Sequence, residues 1–421
     1  MLLVVVFVLG YLAIASEQLL RLNKAASALL TGVLCWAIFT MDAGSQEAGE
    51  GLAHHLSGIS GILFFLLGAM TIVELIDAHD GFQVITSRIT TSNRRRLLLI
   101  VTVLTFFLSA VLDNLTTAIV MVSLVRKIVN GKTDRLFYAG AIIMAANAGG
   151  AWSPIGDVTT TMLWVQGQIT SGNIILSLII PSLVSAAVPL LIMSIWMKGN
   201  FDRSDIFSVE NSRTTSSKER NVIFFTGVGV LLFVPVFKTI TGLPPFMGVL
   251  FGLSILWSVT EIIHKRKDTG HRESLSVAAA LQRIDTQSIL FFLGILLAVG
   301  SLESNGMLRE LSLKMNAAIS DMRITTLAIG LASALVDNVP LVAAAQGMYP
   351  LAEFPQNHYF WEFLAYCAGT GGSILIIGSA AGVAAMGIEQ IPFLWYLKYI
   401  APLALAGYFA GALVYIGLAA I

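Results

Sequence analysis

The chain contains two closely related stretches, S-A-V-L-D-N at 109–114 and S-A-L-V-D-N at 333–338, which lie 224 positions apart. Each is an apolar hexapeptide that ends in an Asp-Asn pair, and each lies inside a longer apolar segment. A carboxylate at the centre of a membrane helix costs roughly 2.5–3.5 kcal/mol, so such residues face a protein interior or a transport pathway. Two copies of one intramembrane Asp-Asn pair indicate a transporter built from two related halves.

The composition is typical of a membrane protein with several spans. Hydrophobic residues make up 56% of the 421 residues, charged residues make up 12%, and the mean hydropathy is +0.82. The 25 basic and 25 acidic residues cancel without forming a basic block, so nucleic acid is not expected as a partner. Cys35 and Cys367 stand singly in apolar stretches, which argues against a disulfide framework or a metal cluster. The apolar N-terminus lacks a basic n-region and a cleavage site, so we expect a retained first span.

Apolar segments of about 20 residues predict ten membrane crossings. Two further segments, 97–129 and 321–348, are too long for one crossing and carry the Asp-Asn pairs near their middles. Non-helical backbone at membrane depth is tolerated where it is buried or lines a watery cavity. We therefore predict two re-entrant helical hairpins with Asp-Asn at their tips, the alternative being plain kinked spans. The crossings are predicted near 2–20, 25–41, 58–78, 136–165, 173–197, 220–239, 245–263, 286–303, 357–388 and 393–419.

The distribution of basic residues supports this count of crossings. If neither hairpin crosses, twenty Lys and Arg residues lie on one side of the membrane and four on the other, with Lys398 inside the last span. By the positive-inside rule the richer side is cytoplasmic, so both termini are extracytoplasmic. A hairpin that crossed the membrane would reverse every later loop and break this bias.

Three landmarks recur in the same order along the chain. I-L-F-F-L at 62–66 recurs at 289–293, the Asp-Asn hexapeptide follows, and Gly149-Gly150 has a counterpart in Gly371-Gly372. Five predicted crossings separate the starts of the two copies, so the second copy is inverted, as in secondary transporters. The predicted fold is an all-α polytopic membrane protein with inverted structural repeats, two re-entrant hairpins and two broken transmembrane helices. Its predicted parts are N-terminal scaffold spans at 1–57, a first inverted repeat at 58–197, connecting spans and cytoplasmic linkers at 198–285, and a second inverted repeat at 286–421.

The two glycine pairs lie in the predicted spans 136–165 and 357–388, which are otherwise long enough to cross unbroken, and we predict a helix break at each. A half-helix end carries about half an elementary charge and unpaired backbone groups, which together favour an ion site. Glycine in membrane helices also serves close packing, but the first break has a density of polar residues that packing does not need. These residues are Asn147, Ser153, Pro154, Asp157, Thr159, Thr160 and Thr161.

Oxygen is the ligand that these motifs offer, and oxygen suits a hard cation. Asp113, Asn114 and Asp157 provide it together with the carbonyls of the breaks, whereas sulfur and imidazole are missing from the motifs. A carboxylate at membrane depth also binds a proton, because desolvation favours its neutral form. If such a group is exposed alternately to each side, it couples cation and proton in opposite directions. The second copy has no aspartate opposite Asp157, and three roles stay open for Asp337: a second cation ligand, a proton carrier or an acceptor of tip amides.

The stretches S-A-V-L-D-N-L-T-T at 109–117, N-A-G-G-A-W-S-P-I-G-D-V-T-T-T at 147–161 and S-A-L-V-D-N-V-P-L-V-A-A at 333–344 resemble the NhaD-type sodium/proton antiporters of the ion transporter superfamily. The resemblance spans nearly the whole chain and implies exchange of Na+ or Li+ for H+, a homodimer, and elevator motion of a transport domain against a scaffold. We expect no enzymatic activity and no cofactor besides the transported ions, with membrane lipid as the other partner. The family's functional positions fall on Ser109, Asp113, Asn114, Asn147, Asp157, Thr159, Thr160, Ser333, Asp337 and Asn338, with Asp113, Asn114 and Asp157 as the Na+ ligands.

Two other functions stay open at this point. Sodium-coupled uptake of a dicarboxylate-like anion is the alternative within transport, although the carboxylates Asp113 and Asp337 at the two tips favour a cation. An intramembrane aspartyl protease is the remote alternative. In that class of enzyme the second catalytic aspartate belongs to a Gly-x-Gly-Asp motif, and the sequence around Asp157 lacks this motif. The expected location is a bacterial cytoplasmic membrane.

Overall fold

The computed structural model describes residues 2–15, 17, 22–87, 89–201, 215–265, 274–319, 321–335 and 337–419. Most of the regular structure within these ranges is helical, and Asn93 and Asn200 form an isolated antiparallel bridge. The helices of the first half are α1 (Leu2–Ala15), α2 (Lys24–Ala43), α3 (Ser45–Ala78), α4 (Gln83–Thr86), α5 (Arg94–Leu112), α6 (Asn114–Ile128), α7 (Lys132–Ala151), α8 (Val158–Val165), α9 (Ser171–Trp196), α10 (Ser217–Thr241) and α11 (Pro245–His264). Those of the second half are α12 (Val277–Arg283), α13 (Thr286–Ser304), α14 (Met307–Ala318), α15 (Met322–Ala332), α16 (Asn338–Met348), α17 (Tyr359–Gly371), α18 (Ala380–Glu389), α19 (Phe393–Tyr399) and α20 (Ala401–Leu418).

Eight of the described helices are long and apolar enough to cross a membrane. A helix satisfies its own backbone hydrogen bonds, so apolar side chains are all that it must present to lipid. The protein is therefore an all-α polytopic membrane protein. The eight helices are α2, α3, α5, α9, α10, α11, α13 and α20.

The helices pack in two groups. In the first group, α2 lies against α1 and α13, while α3 packs against α10, α11 and α13. Two glycines let α2 and α13 approach closely, since a Cβ on Gly32 would lie 2.6 Å from the carbonyl oxygen of Gly294. The second group contains α5 to α8 and α15 to α18, with α9 and α20 packed together and against them.

Contacts between helix ends show how the second group is arranged. Arg94 at the start of α5 pairs with Asp134 in the first turn of α7, and Arg135 pairs with Glu389 at the end of α18. Beyond the C-terminal end of α8, the Gln346 amide of α16 donates to Gln168 Oε1 at 3.1 Å. The start of α5 and the end of α6 therefore lie at one end of this group. The C-terminal end of α16 lies at the opposite end.

The two segments predicted as hairpins each contain two helices. In the first, α5 and α6 meet at Asp113. In the second, α15 ends at Ala332 and α16 begins at Asn338, and residue 336 between them lies outside the described residues. Since α5 alone has the length of a span, re-entry without crossing stays a prediction.

Both spans predicted as broken are interrupted helices. The first divides into α7 and α8, which are separated by the non-helical residues 152–157. The second divides into α17 and α18, which are separated by 372–379. The two breaks lie together, because α17 packs against both α7 and α8, and α18 packs against α7.

The predicted third span, 58–78, is too short. The helix α3 has 34 residues, which rise about 51 Å and exceed the roughly 30 Å thickness of the hydrocarbon core. The additional turns contain Gln46, Glu47 and Glu50, residues that form helix well without being apolar. Hydropathy therefore found the apolar part of the helix and missed its polar beginning, and the predicted domain boundary at 57/58 lies inside α3.

The predicted last span, 393–419, is also wrong, because two helices separate at Ile400. Pro402 lies at the beginning of α20, where it has no N–H to bond to Lys398 and its ring clashes with that carbonyl. A hydropathy window does not register this proline, since the residues on both sides of it are apolar.

The first predicted span, 2–20, corresponds in part to α1. This helix has 14 residues, which rise about 21 Å, so the described helix alone is shorter than the hydrocarbon core. Residues 16 and 18–21 lie outside the described residues. Within the predicted linkers and connecting spans at 198–285, residues 202–214 and 266–273 also lie outside the described residues, and Val277–Arg283 forms the short helix α12.

Candidate cation-binding site

The turn between α5 and α6 consists of one residue, Asp113. Its backbone has φ 81° and ψ 158°, a conformation that is nearly exclusive to glycine and costs other residues about 1–3 kcal/mol. Its carboxylate caps α6, because Oδ1 accepts from the Thr116 N–H at 2.8 Å and Oδ2 accepts from the Thr116 hydroxyl at 2.8 Å. The carboxylate thus lies at a helix N-terminus, where the free N–H groups and the helix dipole stabilise negative charge.

Asn114 joins this turn to the first helix break. Its side-chain amide donates to Asn147 Oδ1 at 3.1 Å and to Asp157 Oδ2 at 2.9 Å. Asp157 is the N-cap residue of α8, and its Oδ1 accepts from the N–H and the hydroxyl of Thr159, both at 2.9 Å. Asn114, Asn147 and Asp157 are all buried, so this polar network lies inside the protein at the crossing of the helices.

Asp157 has no positively charged partner in the described part of the chain. Its side chain is 1% exposed, and the ion pairs found among the described residues include neither Asp157 nor Asp113. A buried carboxylate without a counter-charge is costly in its ionised form. The site therefore suits a carboxylate that is either protonated or bound to a cation from solution.

The predicted Na+ ligands do not form a dense metal cage. Nowhere in the described ranges do three or more His, Cys, Asp or Glu side chains cluster as they do around a tightly held metal. Asp113, Asn114 and Asp157 provide two carboxylates and one amide from neighbouring positions.

Asn147 links the two helix breaks. Its Nδ2 donates to Ser373 Oγ and to Ser379 Oγ, each at 2.9 Å. Ser379 caps α18 with φ −145° and ψ 153°, and Asp157 caps α8 with φ −144° and ψ 144°. Ser379 is therefore the counterpart of Asp157 in the second copy, which an internal alignment of the two glycine motifs would have indicated.

The predicted serines and Thr160 fix the backbone at the breaks. The Ser109 hydroxyl donates to Ala146 O at 2.5 Å, and the Ser333 hydroxyl donates to Ala368 O at 2.9 Å. The Thr160 hydroxyl donates to the carbonyl of Ala151 at 3.4 Å, which ties the start of α8 to the end of α7. These hydroxyls hold the two half-helices and the turns in place, and in this arrangement they donate to the protein itself.

Three of the four predicted break glycines lie at the ends of the first half-helices, and Gly372 is the first non-helical residue after α17. A Cβ on Gly149 would lie 2.2 Å from the carbonyl oxygen of Phe106 in α5, and one on Gly371 would lie 2.1 Å from that of Gly330 in α15. The glycines therefore let the backbone of each helix pair reach the adjacent break. The four are Gly149, Gly150, Gly371 and Gly372.

The second Asp-Asn pair has different partners. Asp337 caps α16 through a 3.4 Å bond from the Val339 N–H, and its Oδ2 lies 3.4 Å from Lys24 Nζ. Asn338 is buried beside it. Lys24 and Asp337 are 313 positions apart, so no local sequence pattern joins the two charges.

Two cavities lie beside the two Asp-Asn pairs. One of about 50 Å³ is lined by Asp113 and Asn114, with Thr161, Ser288 and apolar side chains, and has room for a water molecule or one small cation. The other, of about 510 Å³, is lined by Lys24 and Asp337. Leu115, Ser288 and Ala380 line both cavities, so only a few side chains separate them.

Comparison with known proteins gives a consistent family. Residues 11–364 match the family model CitMHS, described as citrate transporter. The chain is 49% identical over 411 residues to sodium/proton antiporter 1 of Arabidopsis thaliana, covering 97% of this chain and 71% of that protein. It is 44% identical over 415 residues to sodium/proton antiporter 2 of the same organism, covering 97% of each chain.

A bacterial relative extends the same comparison. The chain is 31% identical over 435 residues to the Na(+)/H(+) antiporter NhaD of Vibrio cholerae, covering 96% of this chain and 88% of that protein. All three relatives are named as transporters and none as an enzyme. The chain therefore belongs to the CitMHS family of membrane transporters and, within it, to the NhaD-type sodium/proton antiporters.

Proposed function

We propose that the protein exchanges Na+ or Li+ for H+ across a membrane by alternating access. The observation that carries this proposal is the carboxylate of Asp157, which is 1% exposed and hydrogen-bonded by Asn114 and Thr159. Because this buried group is stable with either a proton or a cation, binding of one requires release of the other. The sodium/proton antiporters named among the relatives support the same exchange.

In this proposal Asp113, Asn114 and Asp157 provide the oxygen ligands of the transported cation. Thr159 orients the Asp157 carboxylate, and Asn147 holds the Asn114 amide. Both aspartates cap helices, so the helix N-termini lower the cost of their charge while the cation leaves and the proton arrives.

The proposed architecture consists of inverted repeats with two re-entrant hairpins. One observation that supports it is a pair of matched hydrogen bonds, from Ser109 to Ala146 and from Ser333 to Ala368. The other is that the helix pairs α5–α6 and α15–α16 have their ends away from the Asp-Asn turns at opposite ends of the second helix group. The division into two helix groups fits an elevator mechanism, in which the second group moves against the first. We further propose that the protein is a homodimer surrounded by lipid in a bacterial cytoplasmic membrane, with both termini outside.

Citrate is the second candidate substrate, because the matching family model is described as citrate transporter. An anion with several carboxylates needs positive groups around it. Among the described residues that line the two cavities, Lys24 is the one basic side chain, and it is paired with Asp337. Glu17, Asp113 and Asp285 line the same cavities, so their charge favours a cation over citrate.

Everted membrane vesicles from a host without its own sodium/proton antiporters test the proposed function. Respiration acidifies the vesicle interior, and a pH-sensitive acridine dye reports the proton gradient as each salt is added in turn. We expect NaCl and LiCl to dissipate the gradient, because the entering cation exchanges for an internal proton. Citrate added as a Na+-free salt should leave the gradient unchanged. Uptake of radiolabelled citrate, with no response to Na+ or Li+, would replace antiport by anion transport.

A further inference from the structure

Lys24 of the first helix group reaches the turn that carries the second Asp-Asn pair. Its Nζ lies 3.4 Å from Asp337 Oδ2 and 4.7 Å from the centre of the Phe291 ring. Lys24 is the first residue of α2, Phe291 belongs to α13, and Asp337 caps α16. This ion pair therefore joins the two helix groups directly beside one of the candidate cation-binding carboxylates.

Lys24 takes the place of donors that the second turn lacks. In the first turn, Thr116 gives Asp113 both an N–H and a hydroxyl hydrogen bond at 2.8 Å. The matching position in the second copy is Pro340, which has no N–H and no hydroxyl. The Val339 N–H, at 3.4 Å, is the described backbone donor to the Asp337 carboxylate. A cation from a distant helix thus completes the partners of Asp337.

The position of Lys24 in its own helix does not explain its presence. A positive side chain at a helix N-terminus is unfavourable, because that end already carries partial positive charge. The first turn of α2 has no acidic residue, although Glu17 Oε1 accepts from the Lys24 backbone N–H at 3.2 Å. The ammonium group is therefore stabilised by Asp337 across the group boundary and by the Phe291 ring of its own helix group.

The ion pair lines the cavity of about 510 Å³ and is open to exchange. The side chains of Lys24 and Asp337 are 27% and 19% exposed, respectively. Glu17 and Asp285 line the same cavity and add negative charge around it. Because Leu115 and Ser288 also line the small cavity beside Asp113, a cation that approaches the first turn through this region meets the pair first.

We propose that Lys24 is a tethered competitor of the transported cation at Asp337. A monovalent cation that enters the large cavity displaces the Lys24 ammonium from the Asp337 carboxylate, and the ammonium returns when the cation moves on. Lys24 thereby weakens retention of the cation and sets the apparent affinity of the transporter. This inference rests on the proposed cation exchange and adds a residue outside the Asp-Asn motifs to it.

Replacement of Lys24 by methionine tests the competition. Lys24→Met keeps the length of the side chain and removes its charge, so the apparent KM for Na+ in everted vesicles should fall about two- to fivefold, the range for a partly exposed ion pair. The maximal rate should fall as well, because the cation leaves Asp337 more slowly. Lys24→Arg should keep the wild-type KM within a factor of about two, since it retains the charge. Lys24→Gln is the second neutral variant if the methionine variant does not reach the membrane.

Two controls separate competition from a structural role. Lys398→Met is the matched substitution, because Lys398 lies over the Tyr399 ring, far along the chain, and its loss should not change the KM. In an Asp337→Asn background, Lys24→Met should have no further effect on the KM. If the wild-type protein exchanges Na+ for H+, an unchanged or raised KM in Lys24→Met would overturn the proposed role of Lys24. The same holds if Lys24→Met lowers the KM in the Asp337→Asn background as much as it does in the wild-type background. Absence of Na+-dependent proton flux in the wild-type protein would overturn the proposed function and this inference together.

Discussion

Asp113 keeps a carboxylate at a position where glycine would be less strained. Its φ of 81° and ψ of 158° cost a non-glycine residue about 1–3 kcal/mol. Its capping bonds to Thr116 recover part of this cost, but a glycine at an N-cap is only a few tenths of a kcal/mol worse than Asp. Stability alone therefore favours glycine, and the aspartate is explained by what its charge does.

Asp113→Gly should separate stability from transport. Relief of backbone strain outweighs the small loss of capping, so the melting temperature of the purified protein should be unchanged or higher. Na+/H+ exchange should be lost, because a ligand of the cation is gone. Asp113→Asn is the companion variant, since it keeps the capping oxygen and the strain but cannot carry charge. Normal exchange in Asp113→Gly would remove Asp113 from the proposed site, and a clearly lower melting temperature would contradict the argument from backbone strain.

At the scale of helices, the breaks depend on backbone contacts that only glycine permits. Gly149 of α7 lies against Phe106 of α5, and Gly371 of α17 lies against Gly330 of α15. The two contacts occupy matching places in the two halves, and each brings an Asp-Asn turn to a helix break. These glycines thus position the site without taking part in cation binding.

Gly149→Ala should displace α5 from the first break. Its Cβ would lie 2.2 Å from a backbone oxygen, and such overpacking against backbone should destabilise the protein by about 3 kcal/mol and abolish exchange. Gly229→Ala in α10 is the matched control, because a Cβ there meets nothing within 4 Å and should leave stability equal or slightly higher. Thermal unfolding in detergent compares the two variants. Equal melting temperatures would show that the close contact does not constrain the fold.

The sequence predicts these elements unequally, for physical reasons. The two interrupted helices are predictable from the glycine pairs inside long apolar segments, and polar residues such as Asp157 and Asn147, which are costly in lipid, mark the first of them. The length of α3 and the division at Ile400 were missed, since hydropathy reports neither polar helix nor a single proline. The Lys24–Asp337 pair depends on tertiary packing between residues that are 313 positions apart, which no local pattern reports.

For the molecule as a whole, two contacts mark the opposite ends of the second helix group. Arg135 pairs with Glu389 at the end where the positive-inside rule predicts cytoplasm, and Gln346 bonds to Gln168 at the opposite end. If both helix pairs re-enter, the loops after α6 and α16 lie on opposite sides of the membrane.

Single cysteines at the exposed residues Thr133, Leu351 and Gln46 test this topology. The native cysteines, Cys35 and Cys367, are buried, so they should contribute little background. A membrane-impermeant maleimide added to intact cells should label Leu351→Cys and Gln46→Cys, and in everted vesicles it should label Thr133→Cys. Labelling of Thr133→Cys from the same side as Gln46→Cys would mean that the first helix pair crosses the membrane.

Proton flux through purified protein in liposomes shows directly whether the buried Asp157 carboxylate exchanges Na+ for H+. Liposomes loaded with Na+ and diluted into Na+-free buffer should acidify inside with the wild-type protein, because each Na+ that leaves Asp157 is replaced by a proton. Asp157→Asn keeps the volume but cannot ionise and should give no acidification at equal incorporation, whereas Asp42→Asn, at an exposed position in α2, should behave as wild type. Acidification by Asp157→Asn at the wild-type rate, or none by the wild-type protein, would contradict the account.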